Sequence, residues 1–91
     1  MNAERRKRLD GIRAKLDDAR IIIEQARDLL EQVRDDEQEA FDNLPESLQL
    51  GEKGERMNEG IDAMSDLHDA LDTMATELGD TDDAFATAKG E

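Results

Sequence analysis

Cysteine, tryptophan and tyrosine are absent from this 91-residue chain, which has one proline, one histidine and two phenylalanines. Without cysteine there is no disulfide framework, no thiolate nucleophile and no cysteine-ligated zinc site. No apolar run is longer than Ile21-Ile22-Ile23 and no signal-peptide pattern opens the chain, so the expectation is a soluble, cytoplasmic protein without a membrane segment. Large aliphatic and Phe residues are scarce, about a fifth of the chain, which is the border where high charge usually means disorder. Basic residues are scarce as well: 12 Lys and Arg face 25 Asp and Glu, a net charge of −13. That balance argues against direct binding to nucleic acid or anionic membrane and favours a basic protein partner. One small domain with 41% charged residues has little material to enclose a pocket, so no enzyme is expected.

What is present is periodicity. Apolar or small residues recur in steps of three and four at Leu9, Ile12, Leu16, Ala19, Ile23, Ala26, Leu30, Val33, Ala40 and Leu44, broken only at Glu37. This predicts a long first helix over residues 1–43, with Ile22, Leu29 and Phe41 widening the seam to a stripe. Asn43-Leu44-Pro45 should end it, because the residue before proline is pushed from the α region and proline lacks an N–H. Residues 44–53 form a corner in which Pro45 opens a short turn and Gly51 and Gly54 give freedom. A second seam, Met57, Ile61, Met64, His68, Leu71, Ala75 and Leu78, with Leu67 and Met74 alongside, predicts a helix over 54–79 stopped by Gly79. Residues 80–91 read as an acidic tail or a short helix capped by Asp80 or Thr81.

Two long amphipathic helices with a short connection fold back as an antiparallel, coiled-coil-like hairpin, an all-α fold. Arg5-Arg6-Lys7-Arg8 should then lie beside Asp80, Asp82 and Asp83. A single layer has no enclosed core, so a homodimer or larger bundle is expected. Its core and oligomer seam would be Leu9, Ile12, Leu16, Ile23, Leu30, Val33, Ile61, Met64, Leu71 and Leu78.

The segment Glu37-Gln38-Glu39-Ala40-Phe41-Asp42-Asn43-Leu44-Pro45-Glu46-Ser47-Leu48-Gln49, followed by Glu52-Lys53-Gly54-Glu55-Arg56-Met57 and Ile61-Asp62-Ala63-Met64, resembles a group of small helical proteins found mostly among phage and prophage genes. Their pattern often carries Ser where Gly51 stands, and Gly is a tolerable cap there. The resemblance covers the middle third of the chain and transfers no functional residue. It implies a phage accessory protein acting in the host cytoplasm, a class in which inhibitors of host defence are common.

Few constellations carry chemistry. His68 sits on the second seam with Asp69 and Asp72 nearby, and a metal site would need further strong ligands from elsewhere, so none is expected. The alternatives for His68 are a seam imidazole or a pH-sensitive spot across a dimer. Asp80, Asp82 and Glu91 match positions 1, 3 and 12 of a calcium loop, but Ala84 and Phe85 stand where a ligand and a glycine are needed. Gly51, Gly54 and Gly60 have no phosphate-cradling spacing, and no cofactor is expected.

Acid is distributed unevenly. Residues 1–34 carry a net +2 and residues 35–91 a net −15. In the second helix Glu52, Glu55, Glu59, Asp62, Asp66 and Asp69 step by 3, 4, 3, 4 and 3, which places them in one stripe away from the seam. A stability-minded surface would intersperse Lys and Arg there, as the first helix does. The stripe is therefore the candidate partner-binding face, suited to a basic, nucleic-acid-binding groove on a host protein. The leading expectation is a non-enzymatic inhibitor of a defence system, of anti-CRISPR or anti-restriction type, acting by nucleic-acid mimicry or steric blocking. One alternative is a structural oligomerisation module whose acid serves only solubility. Another is an oligomeric sponge for a small signalling nucleotide, held by Arg5 to Arg8 with Lys15, Arg20 and Arg27.

Overall fold

The computed structural model describes residues 2–90. Met1 and Glu91, the outer limits of the first helix and of the tail as read from sequence, lie outside them, and so does the last position of the rejected calcium loop.

Helix α1 runs Ala3–Asp42. Asn2 caps it, its Oδ1 accepting the Arg5 N–H at 2.9 Å, which satisfies one of the donors every helix start leaves free. Its end falls where Pro45 requires, and the corner supplies a partner for the carbonyls that proline leaves open. The Gln49 amide donates to the Phe41 carbonyl at 3.0 Å and lies 3.4 Å from that of Asp42. Gln49 thus caps α1 from seven and eight residues downstream.

The single turn α2, Glu46–Gln49, follows Pro45 directly. Gly51 then caps helix α3, Glu52–Gly79, from extended backbone. Gly54 is buried inside the first turn of α3, and the corner is packed rather than loose. A Cβ added there would fall within 2.7 Å of the Gln49 Cα and closer still to its carbonyl. The last segment is ordered as helix α4, Asp82–Ala88. Thr81 precedes it without capping it, since its hydroxyl donates instead to the Leu78 carbonyl at 2.7 Å.

α1 and α3 pack antiparallel in a rod measuring 69 × 15 × 14 Å. Arg27 to Asp72 at 2.7 Å and His68 to Glu31 at 3.8 Å each join positions whose numbers add to 99, which fixes the pairing of the two helices, and Lys89, at the end of α4, meets Asp10 at 2.7 Å. The ends therefore meet in a different step from the sequence expectation. Asp82 pairs with Arg13 at 3.2 Å, whereas Arg6 donates to the Lys89 carbonyl at 3.0 Å and Arg8 reaches Glu4 within its own helix at 3.9 Å. Among the described residues only Gly54, Ile61 and Ala75 are buried, all on α3, as expected of two helices in one layer.

Candidate functional site

The inward rows decide what each face of the rod presents. On α1 the half-buried apolar row is Leu9, Leu16, Ile23 and Leu30, and beside it, four residues on each time, stand Arg13, Arg20, Arg27 and Arg34, also half-buried. On α3 the inward row is Ile61, His68 and Ala75, with Asp72 and Gly79 four residues beyond His68 and Ala75. Positions three and four residues on from a row lie on its opposite flanks. The Arg27–Asp72 contact joins the two four-residue flanks, so this side of the rod is ionic.

Each of the four arginines has an acidic neighbour. Arg13 meets Asp82 at 3.2 Å, Arg20 lies 3.4 Å from Glu24, Arg27 meets Asp72 at 2.7 Å and Asp28 at 3.1 Å, and Arg34 meets Asp35 at 3.3 Å and Glu31 at 3.7 Å. Hydrogen bonds to Asp72 and then Asp28 hold the Arg27 guanidinium above its ordinary pKa. Arg20 crosses at Gly79, where a Cβ would come within 3.0 Å of its Nη1. The Arg20 Nε is buried and makes no hydrogen bond among the described residues. Sequence reasoning missed this row, although arginine recurs at 6, 13, 20, 27 and 34, a strict seven-residue repeat.

The predicted stripe forms as one line. Glu52, Glu55, Glu59, Asp62, Asp66 and Asp69 are all exposed along α3. Glu52 pairs with Arg56 at 2.9 Å, and Asp69 lies 3.5 Å from Nδ1 of the half-buried His68. Glu55, Glu59, Asp62 and Asp66 make no ion pair among the described residues. The stripe borders the ionic side, next to Asp72.

The opposite side is apolar. Three residues on from the inward rows come Ile12, Ala19, Ala26 and Val33 on α1 and Met64, Leu71 and Leu78 on α3, with Ile22, Leu29, Leu67 and Met74 further round the same side. Of the expected core and oligomer seam, Ile12 and Val33 are 50% and 56% exposed and lie outside the contact between α1 and α3, where the arginine row occupies the other flank of α1. The other eight expected seam residues, Leu9, Leu16, Ile23, Leu30, Ile61, Met64, Leu71 and Leu78, are half-buried or buried. Open apolar grooves on this side are lined by Ile23, Met74 and Leu78, and by Leu9, Leu16 and Phe85.

The cations considered for a nucleotide pocket are not brought together. Arg20 and Arg27 lie on the ionic side, Arg6 is tied to the Lys89 carbonyl, and Lys15 points to the apolar side. Among the described residues no group of three or more His, Asp or Glu is placed to hold a metal ion, and no helix is long and apolar enough to cross a membrane. No protein family, curated protein or solved structure matches the chain.

Proposed function

We propose that this chain is a small, non-enzymatic phage accessory protein that binds a basic surface of a host protein through the α3 stripe, Glu52, Glu55, Glu59, Asp62, Asp66 and Asp69. The partner class is a nucleic-acid-binding component of a defence system, blocked by occupation of the groove that would take nucleic acid. One contrast carries the reading. Arg13, Arg20, Arg27 and Arg34 on α1 all have acidic neighbours, whereas four successive stripe carboxylates, Glu55, Glu59, Asp62 and Asp66, make no ion pair among the described residues. Like charges at i,i+4 cost a few tenths of a kcal/mol per pair, a repulsion that a cationic partner relieves. Successive stripe carboxylates rise about 5 Å along the axis, comparable with about 3.4 Å of axis per phosphate on one DNA strand.

The test is affinity capture from host lysate at about 50 mM and 500 mM salt, using the natural chain and a triple variant, Asp62→Lys, Asp66→Lys and Asp69→Lys. The triple reversal moves the net charge from −13 to −7 and leaves the α3 seam untouched. A partner held by the stripe is lost at high salt and lost with the variant, while far-ultraviolet circular dichroism is unchanged. Capture that survives both changes refutes the reading.

A second reading, a structural oligomerisation module, is favoured by the apolar side, where Ile12, Ile22, Leu29, Val33, Leu67 and Met74 are 49–64% exposed together. Self-association through that side is part of the proposal and is compatible with the stripe, which lies on the other.

A further inference from the structure

The outward row on α1, exposed except at the half-buried Ala19, is nearly palindromic, and this specifies its occupant. Reading outward from Ala26, the row runs Ile22, Ala19, Lys15 and Ile12 in one direction and Leu29, Val33, Asp36 and Ala40 in the other. We propose that the apolar face is covered by a second copy of this chain, with α1 lying antiparallel on the partner's α1 and the two-fold axis passing beside Ala26. This deepens the self-association proposed above and does not depend on the acidic stripe.

In that register Ala26 meets Ala26 of its partner, Ile22 meets Leu29, Ala19 meets Val33 and Ile12 meets Ala40. Three of these four contacts include an alanine, which lets the helices approach closely. Lys15 meets Asp36 of the partner. Both are exposed and neither makes an ion pair among the described residues, so each has its charge free for the contact. Sliding the register by half a heptad puts Lys15 and Asp36 against apolar side chains. A parallel pairing puts Lys15 on its own copy and Asp36 on its own copy, which like-charge repulsion opposes. The same two-fold extends to α3. Arg27 touches Asp72, so Ala26 and Met74 stand at about the same height, and Met74 comes to lie against its own mate. The result is a four-helix bundle with every neighbouring pair antiparallel. Covering a face 69 Å long and 15 Å wide buries on the order of 1,000 Å² per protomer, about 2,000 Å² in all, the upper end of a standard specific interface.

Because the chain has no cysteine, single introduced thiols report the register directly. The experiment measures the solution mass of the natural chain and the disulfide crosslinking of Ala26→Cys, Lys15→Cys, Asp36→Cys and Met74→Cys variants. The expected result is twice 10.2 kDa, self-crosslinking of Ala26→Cys, and crosslinking of Lys15→Cys with Asp36→Cys in a mixture but of neither alone. In the proposed dimer two Lys15 residues stand about 33 Å apart. Self-crosslinking of Lys15→Cys overturns the antiparallel register while leaving self-association standing. Crosslinking of Ala26→Cys to Met74→Cys, without self-crosslinking, places α1 on the partner's α3 and also overturns it. A mass of 10.2 kDa overturns self-association itself, and a stripe-dependent capture would still stand.

Discussion

Helix propensity and the structure disagree about Gly54, which makes its substitution a sharp test. Gly54 lies within α3, where Gly→Ala ordinarily gains roughly 0.8–1 kcal/mol because alanine loses less backbone freedom on folding. Here the added methyl meets the backbone of Gln49, which cannot turn away as a side chain would. Relieving the overlap requires α2 to move off α3, and Gln49 to move off the end of α1. Overpacking costs roughly 1–3 kcal/mol, occasionally more, and rigid backbone on one side puts this case at the upper end. The net expectation for Gly54→Ala is a loss of about 2 kcal/mol. For a domain of this size that lowers the melting temperature by roughly 8–16 °C. Gly11→Ala is the control: it is also helical, and nothing beyond its chain neighbours and its own helix backbone lies within 4 Å of the place its new methyl would take, so it should raise stability by about 1 kcal/mol. Both are measured by thermal circular dichroism at one protein concentration, since the proposed self-association would make melting concentration-dependent. A Gly54→Ala protein that melts at or above the natural chain refutes the account of the corner.

Gly79→Ala meets only the movable Arg20 guanidinium, so its melting temperature should fall far less than that of Gly54→Ala. Ile61→Ala removes the largest buried side chain of the described residues and should cost about 2–4 kcal/mol in urea unfolding, whereas Ile21→Ala, half exposed, should cost under about 1 kcal/mol. Gln49→Ala removes one of the two donors to the Phe41 carbonyl, the Leu44 N–H being the other, and should cost about 1 kcal/mol. Gln49→Glu, which sets a carboxylate against the same carbonyls, should unfold at a lower urea midpoint still. Leu29→Glu should halve the solution mass if the apolar face is the dimer contact, with helicity retained.

The α3 seam was fully legible, and half of the α1 seam was. Ile61, His68 and Ala75 form the row that faces α1, and Met57, Met64, Leu71 and Leu78 are half-buried beside it, because on α3 the apolar flank adjoins the inward row. On α1 the apolar flank does not take that place. A heptad row such as Leu9, Leu16, Ile23 and Leu30 admits a companion row three residues on or four residues on, and hydrophobicity selects the first, Ile12, Ala19, Ala26 and Val33. The hairpin takes the second, the arginines, because α3 offers Asp72 and the open space at Gly79 on that side. The Gln49 cap and the Gly54 contact were equally hidden, since both depend on how α2 folds across the end of α1 and neither leaves a periodic trace.

The placement of the arginines also explains why the acid of α3 is left over. Antiparallel pairing brings the near-balanced residues 1–34 of α1 beside an acidic α3, and full neutralisation would need the α1 arginines to spend themselves across the gap. Only Arg27 and Arg13 do so, to Asp72 and Asp82. Arg20 and Arg34 turn to Glu24, Glu31 and Asp35 within α1, and Arg27 shares itself with Asp28. The near balance of residues 1–34 is therefore consumed largely within α1, and α3, with 8 acidic and 2 basic residues, keeps a net −6, most of it in the exposed stripe. A lysine four residues from Asp62 or Asp66 would have gained a few tenths of a kcal/mol at no cost in packing. Hairpin stability thus accounts for the seam, the arginine row and the corner, and it gives no reason for the stripe. That separates the two surfaces by cause: under the proposal, the apolar side answers to a second copy of the chain and the acidic side to a charge supplied by a partner.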